Sequence, residues 1–593
     1  MKRCDVKLED QWNVELLFPS LEGWKSDFSA FKETVGSFDK MLAFKKRLGS
    51  SSKTLKDFFD HYFDTARQID RFYTYAHLRH DEDLAKEEAK IAYNEAMHFY
   101  HTFSQMVAWV EPEILALDQK ILDGYLKDPI LEPYWIHLEK IVKLKPFTLS
   151  DKEEMILALA AQPLATASKA FSALNNVDLK FASVKDGEGK ECEVTHGLYS
   201  LYMQSKDRTL RENAFTSLHK GFAANENTIA EFLSGVVQGH VFEARARGYE
   251  STLHAALTPH NIDVSVYHNL IETVRANIKP LHDYVSYRKE VLGLDKVHFY
   301  DLYVPIVDDC DQKYTYDEAE KICIEAIEPL GEGYQDDLRR GMTTDRWVDR
   351  YENEGKRTGA YSSGCYDSCP YILMNYKGML NDLMTLAHEA GHSMHSLNSH
   401  RSQPYQYSHY SIFVAEVAST FNENLTSRYL MQKATTAKEK RFLINQQLDA
   451  TRATLYRQTM FAEFELKIHE IGERGESLTP GMLKEVYKQL NADYYGPDFY
   501  VDDLLPFECL RIPHFYYNYY VYQYATGISA AHALAERVIH ENGRDDYLDF
   551  LAAGSSDYPL EILKRAGVDM RTPEPIISQI DAFSAYLNEL KTC

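Results

Sequence analysis

The chain has 593 residues, 45% of them hydrophobic and 13% aromatic, which is enough for several cores or for one large fold with a deep cleft. Its formal net charge of −24, from 65 basic and 89 acidic residues, repels phosphate backbones and anionic membranes and argues against nucleic acid as a partner. The first residues lack the apolar core of a secretory signal, no apolar run is long enough to span a bilayer, and the eight cysteines are scattered as in a reducing compartment, so the sequence predicts a cytoplasmic protein.

Amphipathic helices dominate the first half of the chain. From about residue 25 to about residue 290, apolar residues recur every three or four positions, a spacing that predicts successive helices. Alternating apolar positions around residues 186–189 (Asp-Gly-Glu-Gly) predict a small hairpin within this half. We take the hairpin as a soft boundary between an N-terminal helical region, 1–190, and a region 191–593 that carries the motifs described below.

Two strand-like segments follow, before helical periodicity returns up to the C-terminus. They are KVHFYDLYVPIV at 296–307 and YSSGCYDSCPYILMNYKG at 361–378. No linker rich in proline and serine and no repeat of fixed period announces separate modules. The predicted fold class is therefore mainly α, with a small and local β-sheet.

The second of these segments is a candidate for contact with a ligand. Its part PYILMNYKG, at 370–378, predicts either an exposed edge that pairs with an extended peptide or an ordinary buried strand. The residues from Gly359 to Gly364 predict a mobile loop, and we take Gly359, Ala360 and Tyr361 as candidate substrate-binding residues. No phosphate-binding pattern occurs there, which argues against a nucleotide.

The strongest chemical signal is an HExxH pattern at residues 388–392, His-Glu-Ala-Gly-His. Apolar residues recur every three or four positions around it, which predicts a helix with His388 and His392 on one face. Two such imidazoles can bind one zinc ion, and zinc lowers the pKa of a bound water enough to give a nucleophile near neutral pH. Glu389, beside them, would accept the proton as general base. The pattern therefore predicts one catalytic Zn²⁺ per chain.

A zinc site of this kind needs a third protein ligand, and the candidates downstream, up to residue 423, are three histidines and two glutamates: His395, His400, His409, Glu416 and Glu423. His395 lies about 10 Å from His388 along a helix axis, which is awkward for one coordination sphere. Glu416 and Glu423 lie on the narrow polar face of a largely apolar helix. We assign Glu416 as the third ligand and Glu423 as the acceptor that orients a ligating histidine, so that His395 lines the pocket. The alternative is a capped or ion-paired glutamate on a solvated face.

A tyrosine-rich segment, IPHFYYNYYVYQYATG at 512–527, is a source of donors for the negative charge that amide hydrolysis builds on the carbonyl oxygen. If the segment is helical, His514, Tyr517 and Tyr524 lie on one face, at spacings of three and seven. A tyrosine hydroxyl can donate a hydrogen bond while it remains neutral. The alternative is aromatic core packing, and the spacing alone does not separate these two tyrosines from their neighbours.

These segments resemble the thimet-oligopeptidase family, in particular its oligoendopeptidase F branch. The resemblance lies in HEAGHSMH at 388–395, FVAEVASTFNEN at 413–424 and the tyrosine-rich segment, and also in WNVELLFPS at 12–20 and YDLYVPI at 300–306. It covers nearly the whole chain. It implies an almost entirely helical zincin fold, in which two helical halves flank a deep substrate channel with the zinc at its floor. Only a short extended chain enters such a channel, which implies unstructured oligopeptides as substrates.

The resemblance also implies a role for each residue of the site. Carried over by motif, His388, His392 and Glu416 match the zinc ligands of the family, with His395 as the rival third ligand, and Glu389 matches its general base. The two tyrosines chosen above match a pair that faces the scissile carbonyl, whereas the histidine of that segment aligns in more than one way.

The predicted function is therefore a zinc metalloendopeptidase that cuts internal bonds of short peptides, as a monomer. A zinc exopeptidase, either a carboxypeptidase or an aminopeptidase, is the first alternative, but it requires a group that captures a free terminus, and the GxMEN-like segment of aminopeptidases is missing. The second alternative is an inactive helical peptide-binding protein on the same scaffold. Against it, the ligands and the base are all present in the sequence.

Overall fold

The structure is a computed structural model, and it describes residues 1–36, 38–307 and 312–592. Regular structure in these residues is almost entirely helical, as predicted, and none of the helices described is long and apolar enough to cross a membrane. The cysteines at positions 4, 192, 323, 365, 369 and 509 are free thiols, and Cys310 and Cys593 lie outside the described residues. The α-helices in these ranges are α1 (Leu21–Val35), α2 (Asp39–Leu42), α3 (Ser52–Glu82), α4 (Glu87–Val107), α5 (Val110–Leu115), α6 (Gln119–Tyr125), α7 (Trp135–Lys143), α8 (Asp151–Leu164), α9 (Thr166–Ala173), α10 (His196–Met203), α11 (Arg208–Ala223), α12 (Glu226–Arg247), α13 (Thr252–Leu257), α14 (Val264–Ala276), α15 (Lys279–Leu292), α16 (Tyr316–Ala326), α17 (Glu332–Met342), α18 (Leu380–Ser402), α19 (Ile412–Lys433), α20 (Ala437–Thr451), α21 (Arg457–Glu473), α22 (Pro480–Tyr495), α23 (Tyr522–His540), α24 (Arg544–Ala552), α25 (Pro559–Arg565) and α26 (Glu574–Thr592).

Two compact units make up the fold, and each is built from three stretches of chain. The first unit contains Met1–Thr148, Gln312–Leu430 and Leu534–Val568, and the second contains Leu149–Asp311, Met431–Ala533 and Asp569–Cys593. This division describes which residues pack together in space. The boundary near residue 190, between regions 1–190 and 191–593, concerns segments of sequence and stays a prediction.

The core of the first unit is rich in aromatic side chains. Trp24 and Phe28 of α1 pack on Phe72 of α3, with ring centroids 6.4 Å and 5.1 Å from it. The indole N–H of Trp24 donates to the carbonyl of Phe72 at 3.0 Å, so the one polar atom of this buried ring is satisfied. This packing holds α3, the longest helix described, in a defined orientation within the unit.

The second unit contains the predicted hairpin and corrects one strand prediction. Strands β1 (Val184–Lys185) and β2 (Glu191–Cys192) are antiparallel, which confirms the hairpin. The segment 296–307 is not a strand, since it turns through a 3₁₀ helix at Phe299–Asp301 and makes a single bridge from Val297. Asp301 is fully buried, and its carboxylate accepts hydrogen bonds from guanidinium groups of α11 at 2.8 to 3.1 Å. The arginines are about 90 residues away in sequence, and their hydrogen bonds with Asp301 stabilise the turn. This stabilisation outweighs the preference of the alternating residues for a strand.

A buried carboxyl in the second unit makes its stability depend on pH. Glu465 of α21 is 0% exposed, one of its oxygens accepts only the backbone N–H of Tyr519, at 2.5 Å, and burial raises its pKa to about 8. The folded pKa is above the unfolded value of about 4.3, so this group contributes its full stability below about pH 4 and loses it as pH rises through 8. We expect Glu465→Gln, which stays neutral, to be more stable than the wild type at pH 9 by about 2–4 kcal/mol.

Urea unfolding at pH 5, 7 and 9 measures this difference. Glu470→Gln is the matched control, because Glu470 lies on the same helix and is exposed. An unchanged pH dependence of unfolding in Glu465→Gln would show that the buried carboxyl is not the titrating group.

In the first unit, three short strands form the sheet that packs on α18. They are β3 (Val348–Asp349), β4 (Tyr361–Ser363) and β5 (Tyr371–Leu373), in the order β3-β5-β4. β5 is parallel to β3 and antiparallel to β4, and its three side chains are fully buried. Of the two alternatives for 370–378, the buried strand is therefore confirmed and the exposed edge is wrong. β4 is one of the two edge strands, with β3 at the other edge. Because Tyr361–Ser363 form this strand, the prediction of a mobile loop is wrong for them.

Candidate metal centre and active site

Helix α18 carries the HExxH pattern, as its apolar spacing predicted. Leu383, Leu386 and Met394 are fully buried, and they fix the face that α18 turns to the core of the unit. The carboxylate of Asp382 accepts the backbone N–H groups of residues 377 and 379 at 3.0 and 2.9 Å, which defines where the helix begins. His388 and His392 lie on the opposite, half-buried face.

Three side-chain atoms from α18 and α19 form a small triangle. The Nε2 atoms of His388 and His392 are 3.2 Å apart, and Oε2 of Glu416 lies 3.4 Å from the first and 3.6 Å from the second. Ligands at about 2.0–2.1 Å from a tetrahedral zinc ion are about 3.3 Å from one another. The three donors therefore have the spacing of one face of a zinc tetrahedron. Among the His, Cys, Asp and Glu side chains of the described residues, His388, His392 and Glu416 are the group that could hold a metal ion.

A further glutamate and a serine orient these donors. Nδ1 of His388 donates to Oε1 of Glu423 at 2.6 Å, which leaves the lone pair of Nε2 directed at the triangle. The Oγ of Ser419 donates to Oε2 of Glu416 at 3.1 Å. The contact predicted between Glu423 and a histidine of the pattern is therefore present.

The electrostatics of the group favour positive charge at its centre. Burial alone lowers the pKa of His388, but hydrogen bonds with Glu416 and Glu423 outweigh it and raise that pKa to about 10. Hydrogen bonds with the two histidines hold the pKa of Glu416 well below its usual range. A site that favours a protonated imidazole and an ionised carboxylate attracts a cation, and a metal ion can take the place of the proton.

Glu389 lies next to the triangle in a drier position. Glu389 is 7% exposed, and this burial raises the pKa of its carboxyl. The backbone N–H of Ser362 on β4 donates to the carboxylate. The hydroxyl groups of Ser362 and Ser393 are 2.8 Å apart, so β4 runs against α18 beside the metal ligand candidates. A carboxyl with a raised pKa is better suited to accept and return a proton than an ordinary surface glutamate.

His395 lies outside this group. It is 1% exposed, its ring stacks on Tyr410 with centroids 3.6 Å apart, and Phe550 contacts it from α24. Burial lowers its pKa to about 3, so the ring is neutral. The prediction that His395 lines the pocket is wrong, because packing against these aromatic rings places it in the core.

Gly391, inside the HExxH pattern, brings α18 and α19 into backbone contact. A Cβ atom at this position would lie 2.5 Å from the carbonyl oxygen of Ala418 and 2.6 Å from Cα of Ser419. This close approach is what brings Glu416 of α19 to the two histidines of α18. A glycine inside a helical pattern is a signal for such an approach, and the sequence interpretation did not use it.

We expect Gly391→Ala to push the two helices apart, lowering stability by about 1–3 kcal/mol and reducing the metal content. Gly333→Ala is the matched control, since no atom lies within 4 Å of its Cβ position on α17, and alanine there adds about 0.5–1 kcal/mol of helix propensity. Thermal unfolding and metal analysis of the purified variants measure both effects. Full metal content in Gly391→Ala would contradict the importance of the close approach.

The tyrosine-rich segment lies in the second unit and is not one helix. It forms a 3₁₀ turn at Pro513–Tyr516, then two residues with positive φ, Asn518 and Tyr519, and α23 begins only at Tyr522. The condition of a single helix over 512–527, on which the shared face of the three residues was argued, is therefore not met. Tertiary contacts in this unit hold the turn, because the buried carboxyl of Glu465 accepts the N–H of Tyr519 and the hydroxyl of Thr252 lies 2.8 Å from that of Tyr519.

The turn still brings the three predicted residues of this segment together. The ring centroids of Tyr517 and Tyr524 lie 5.7 and 5.9 Å from that of His514, and the Tyr524 hydroxyl is 3.4 Å from His514 Nε2. Burial lowers the pKa of His514, and Tyr517 is 55% exposed. Tyr520, which the sequence interpretation did not choose, belongs to the same group, 5.4 Å from Tyr524. The separation of four residues between Tyr520 and Tyr524 was a signal in the sequence that the two rings could be neighbours. Only the observed turn shows that Tyr520 belongs to the group.

The candidate substrate-binding residues lead into β4. Gly359 has φ of +88°, and its carbonyl accepts the side-chain N–H of Asn375 at 2.8 Å. The hydroxyl of Tyr361 donates to Asp81 at 2.9 Å, so the Tyr361 side chain is bound to α3 within the first unit. Ala360 lies between them, half-buried.

Two imidazoles and a carboxylate at tetrahedral spacing, with a buried glutamate beside them on the same helix, define a metallopeptidase of the HExxH class. Comparison with known proteins specifies the family. The model of peptidase family M3 matches residues 201–582, and the model described as Oligopeptidase F matches residues 113–181. The chain belongs to peptidase family M3.

Individual relatives resemble the chain along nearly its whole length. Oligopeptidase PepF of Bacillus subtilis is 44% identical to this chain, and the match covers 99% of this chain and 88% of the length of PepF. The crystal structure of a putative peptidase from Chlamydophila abortus matches with a TM-score of 0.96 and 40% identity, covering 100% of this chain and 99% of that one. Oligoendopeptidase-F from Enterococcus faecium matches with a TM-score of 0.73 and 34% identity, over 96% and 99% of the two chains. The predicted mainly α fold and the resemblance are confirmed.

Proposed function

We propose that the protein is a zinc endopeptidase that hydrolyses internal bonds of short, unstructured peptides in the cytoplasm, acting as a monomer and without a nucleotide, nucleic acid or membrane partner. The observation that carries the proposal is the triangle of His388, His392 and Glu416 with the buried carboxyl of Glu389 beside it. The names of two relatives, oligopeptidase and oligoendopeptidase, support the choice of substrate.

The three donors suit zinc in type as well as in spacing. Two histidines and a glutamate are a ligand set of catalytic zinc sites, which keep one position open for water or substrate. Zinc held there supplies Lewis acidity, which polarises the scissile carbonyl and makes water easier to deprotonate. Glu423 fixes the tautomer of His388, so that Nε2 is the donor atom.

Glu389 is the proposed general base. Its carboxylate takes the proton of the attacking water and returns it to the amine of the leaving peptide. The backbone N–H of Ser362 holds one face of this carboxylate, which keeps it in position through both transfers. Its raised pKa brings the proton affinity of the carboxylate closer to that needed near neutral pH.

β4 and the tyrosine group are proposed to act on the peptide itself. β4 is an edge strand beside α18, so those of its outward backbone groups that are not bound to Glu389 can pair with an extended chain without selecting side chains strongly. Tyr517 and Tyr524, with His514, are proposed donors to the carbonyl oxygen as negative charge develops on it. Entry of the peptide through a deep channel, and exclusion of folded proteins, stay predictions.

The function is tested with an internally quenched peptide of about ten residues, blocked at both ends. Cleavage inside the blocked peptide, lost on chelation and restored by zinc, is the expected result. Cleavage only of peptides with a free terminus would favour an exopeptidase, and zinc binding without any cleavage would favour an inactive peptide-binding protein.

Tyr524→Phe tests the proposed donors. We expect kcat to fall about 10- to 100-fold with unchanged metal content, because one hydroxyl that stabilises the developing charge is removed. Tyr522→Phe is the matched control, since Tyr522 is 3% exposed and its ring packs 5.1 Å from that of Tyr267. Equal kcat values for the two variants would exclude Tyr524 as a donor.

A further inference from the structure

Two neighbouring cavities in the first unit lie beside the C-terminal end of β4. The larger has a volume of about 990 Å³, and the smaller, of about 220 Å³, is lined by Ser396 and His400 of α18. Ser363, Gly364 and His409 line both cavities, so they adjoin where β4 ends. The established family membership and the metal centre assign no role to either cavity.

The larger cavity has aromatic walls. Rings from α3 and α4 surround it: Phe58, Phe59, Tyr62, Tyr73, Tyr100 and Phe103. Its volume is within the range of about 300–1,000 Å³ found for binding sites of drug-sized ligands, which is enough for a large side chain and the adjoining backbone. Apolar and aromatic surface of this kind favours an apolar occupant.

The charged groups at the wall are acidic. Asp70 accepts a hydrogen bond from the hydroxyl of Tyr405 at 2.5 Å and lies 3.8 Å from Nε2 of His409, and Glu111 is a second carboxyl in the lining. These carboxylates would repel an acidic side chain. The occupant that fits the wall is therefore an apolar side chain. An aromatic side chain suits the wall better than an acidic one.

The distance to the metal centre gives the position of the occupant along a peptide. Ser396 and His400 follow His392 on α18 by one and two turns, so the small cavity reaches about 12 Å beyond the metal ligand candidates at 1.5 Å per residue. An extended chain covers about 3.3 Å per residue. A peptide paired along β4 would therefore arrive at the large cavity about three to five residues from the bond that is cut.

We propose that the larger cavity is a specificity pocket, which binds an aromatic or large aliphatic side chain of the peptide about three to five residues from the scissile bond. The proposal rests on the proposed endopeptidase function and adds a substrate preference to it. The backbone of β4 aligns the peptide, and the aromatic cavity selects the side chain that reaches it.

The test is a set of end-blocked, internally quenched peptides with one fixed scissile bond. Alanine, leucine, phenylalanine, lysine and aspartate are placed in turn at each of the five positions on either side. We expect kcat/KM for phenylalanine to exceed that for alanine at least about tenfold at one of the positions three to five residues from the cut, with aspartate the poorest.

Two variants that fill the cavity from two different helices locate the preference. Ala66→Phe fills it from α3 and Val107→Trp from α4, and both residues line the cavity. Each is expected to bring the kcat/KM of the phenylalanine peptide down to that of the alanine peptide, which itself should change less than about twofold. Gln68→Phe is the matched control, because it adds the same ring to an exposed position of α3. Thermal unfolding identifies a variant that fails to fold.

The outcomes separate this inference from the proposed function. A phenylalanine preference that Ala66→Phe or Val107→Trp removes, and Gln68→Phe keeps, supports the pocket. Cleavage without a side-chain preference at these positions, or a preference that both folded filling variants keep, overturns the pocket and leaves the endopeptidase intact. If no blocked peptide is cut at all, the proposed function itself fails.

Discussion

Glu389→Gln is expected to lower kcat/KM for an end-blocked peptide at least about 100-fold while the protein keeps its zinc. Glutamine has nearly the shape of glutamate and can still accept the backbone N–H of Ser362, so the fold and the triangle of donors stay in place. It cannot accept the proton of the attacking water. The loss should therefore appear mainly in kcat, with metal content measured on the same sample.

Glu352→Gln is the control for this substitution. Glu352 is an exposed residue of the same unit, so neutralising it makes the same change of charge away from the donors. Its kcat/KM should stay within about twofold of the wild type. Wild-type kcat in a Glu389→Gln protein with full zinc content would exclude Glu389 as the base.

Glu416→Gln is expected to weaken zinc binding at least about 100-fold, because one of three donors loses its charge. The amide can still accept the hydroxyl of Ser419, so the loss should not come from unfolding of α19. Activity should fall with the metal content and return in part when zinc is added in excess. Competition with a chromogenic chelator measures the affinity.

His395→Phe distinguishes the two candidates for third ligand. Phenylalanine can keep the stacking on Tyr410 and the contact with Phe550, so this variant should fold and retain one zinc ion per chain. If His395→Phe loses the metal and Glu416→Gln keeps it, the assignment of the third ligand is reversed.

Much of the metal centre could be predicted from the sequence because its chemistry follows local spacing. A separation of four residues on a helix places two histidines on one face, and the apolar residues around them predict which face is buried. A separation of seven residues, two helical turns, placed Glu416 and Glu423 on one polar face of α19, and both contact His388 in the structure. These inferences needed only helix geometry and the polarity of each face.

The errors arose where distant residues outweigh a local pattern. The alternating segment 296–307 predicted a strand, but arginines bind the buried carboxylate of Asp301 and stabilise a turn. The argument from spacing in 512–527 assumed one helix, but Glu465 and Thr252 hold Tyr519 in a turn. In each case a buried polar contact with residues far away in sequence decides the backbone conformation.

The sequence by itself determined that the protein is mainly helical and carries an HExxH site of a metallopeptidase, since both follow from periodicity and residue type. Only the tertiary structure decided that β4 is the sheet edge beside α18, that His395 belongs to the core and that Gly391 lets α19 approach. Each of these depends on which segments pack against each other in three dimensions, and packing is a property of residues that are distant in the chain.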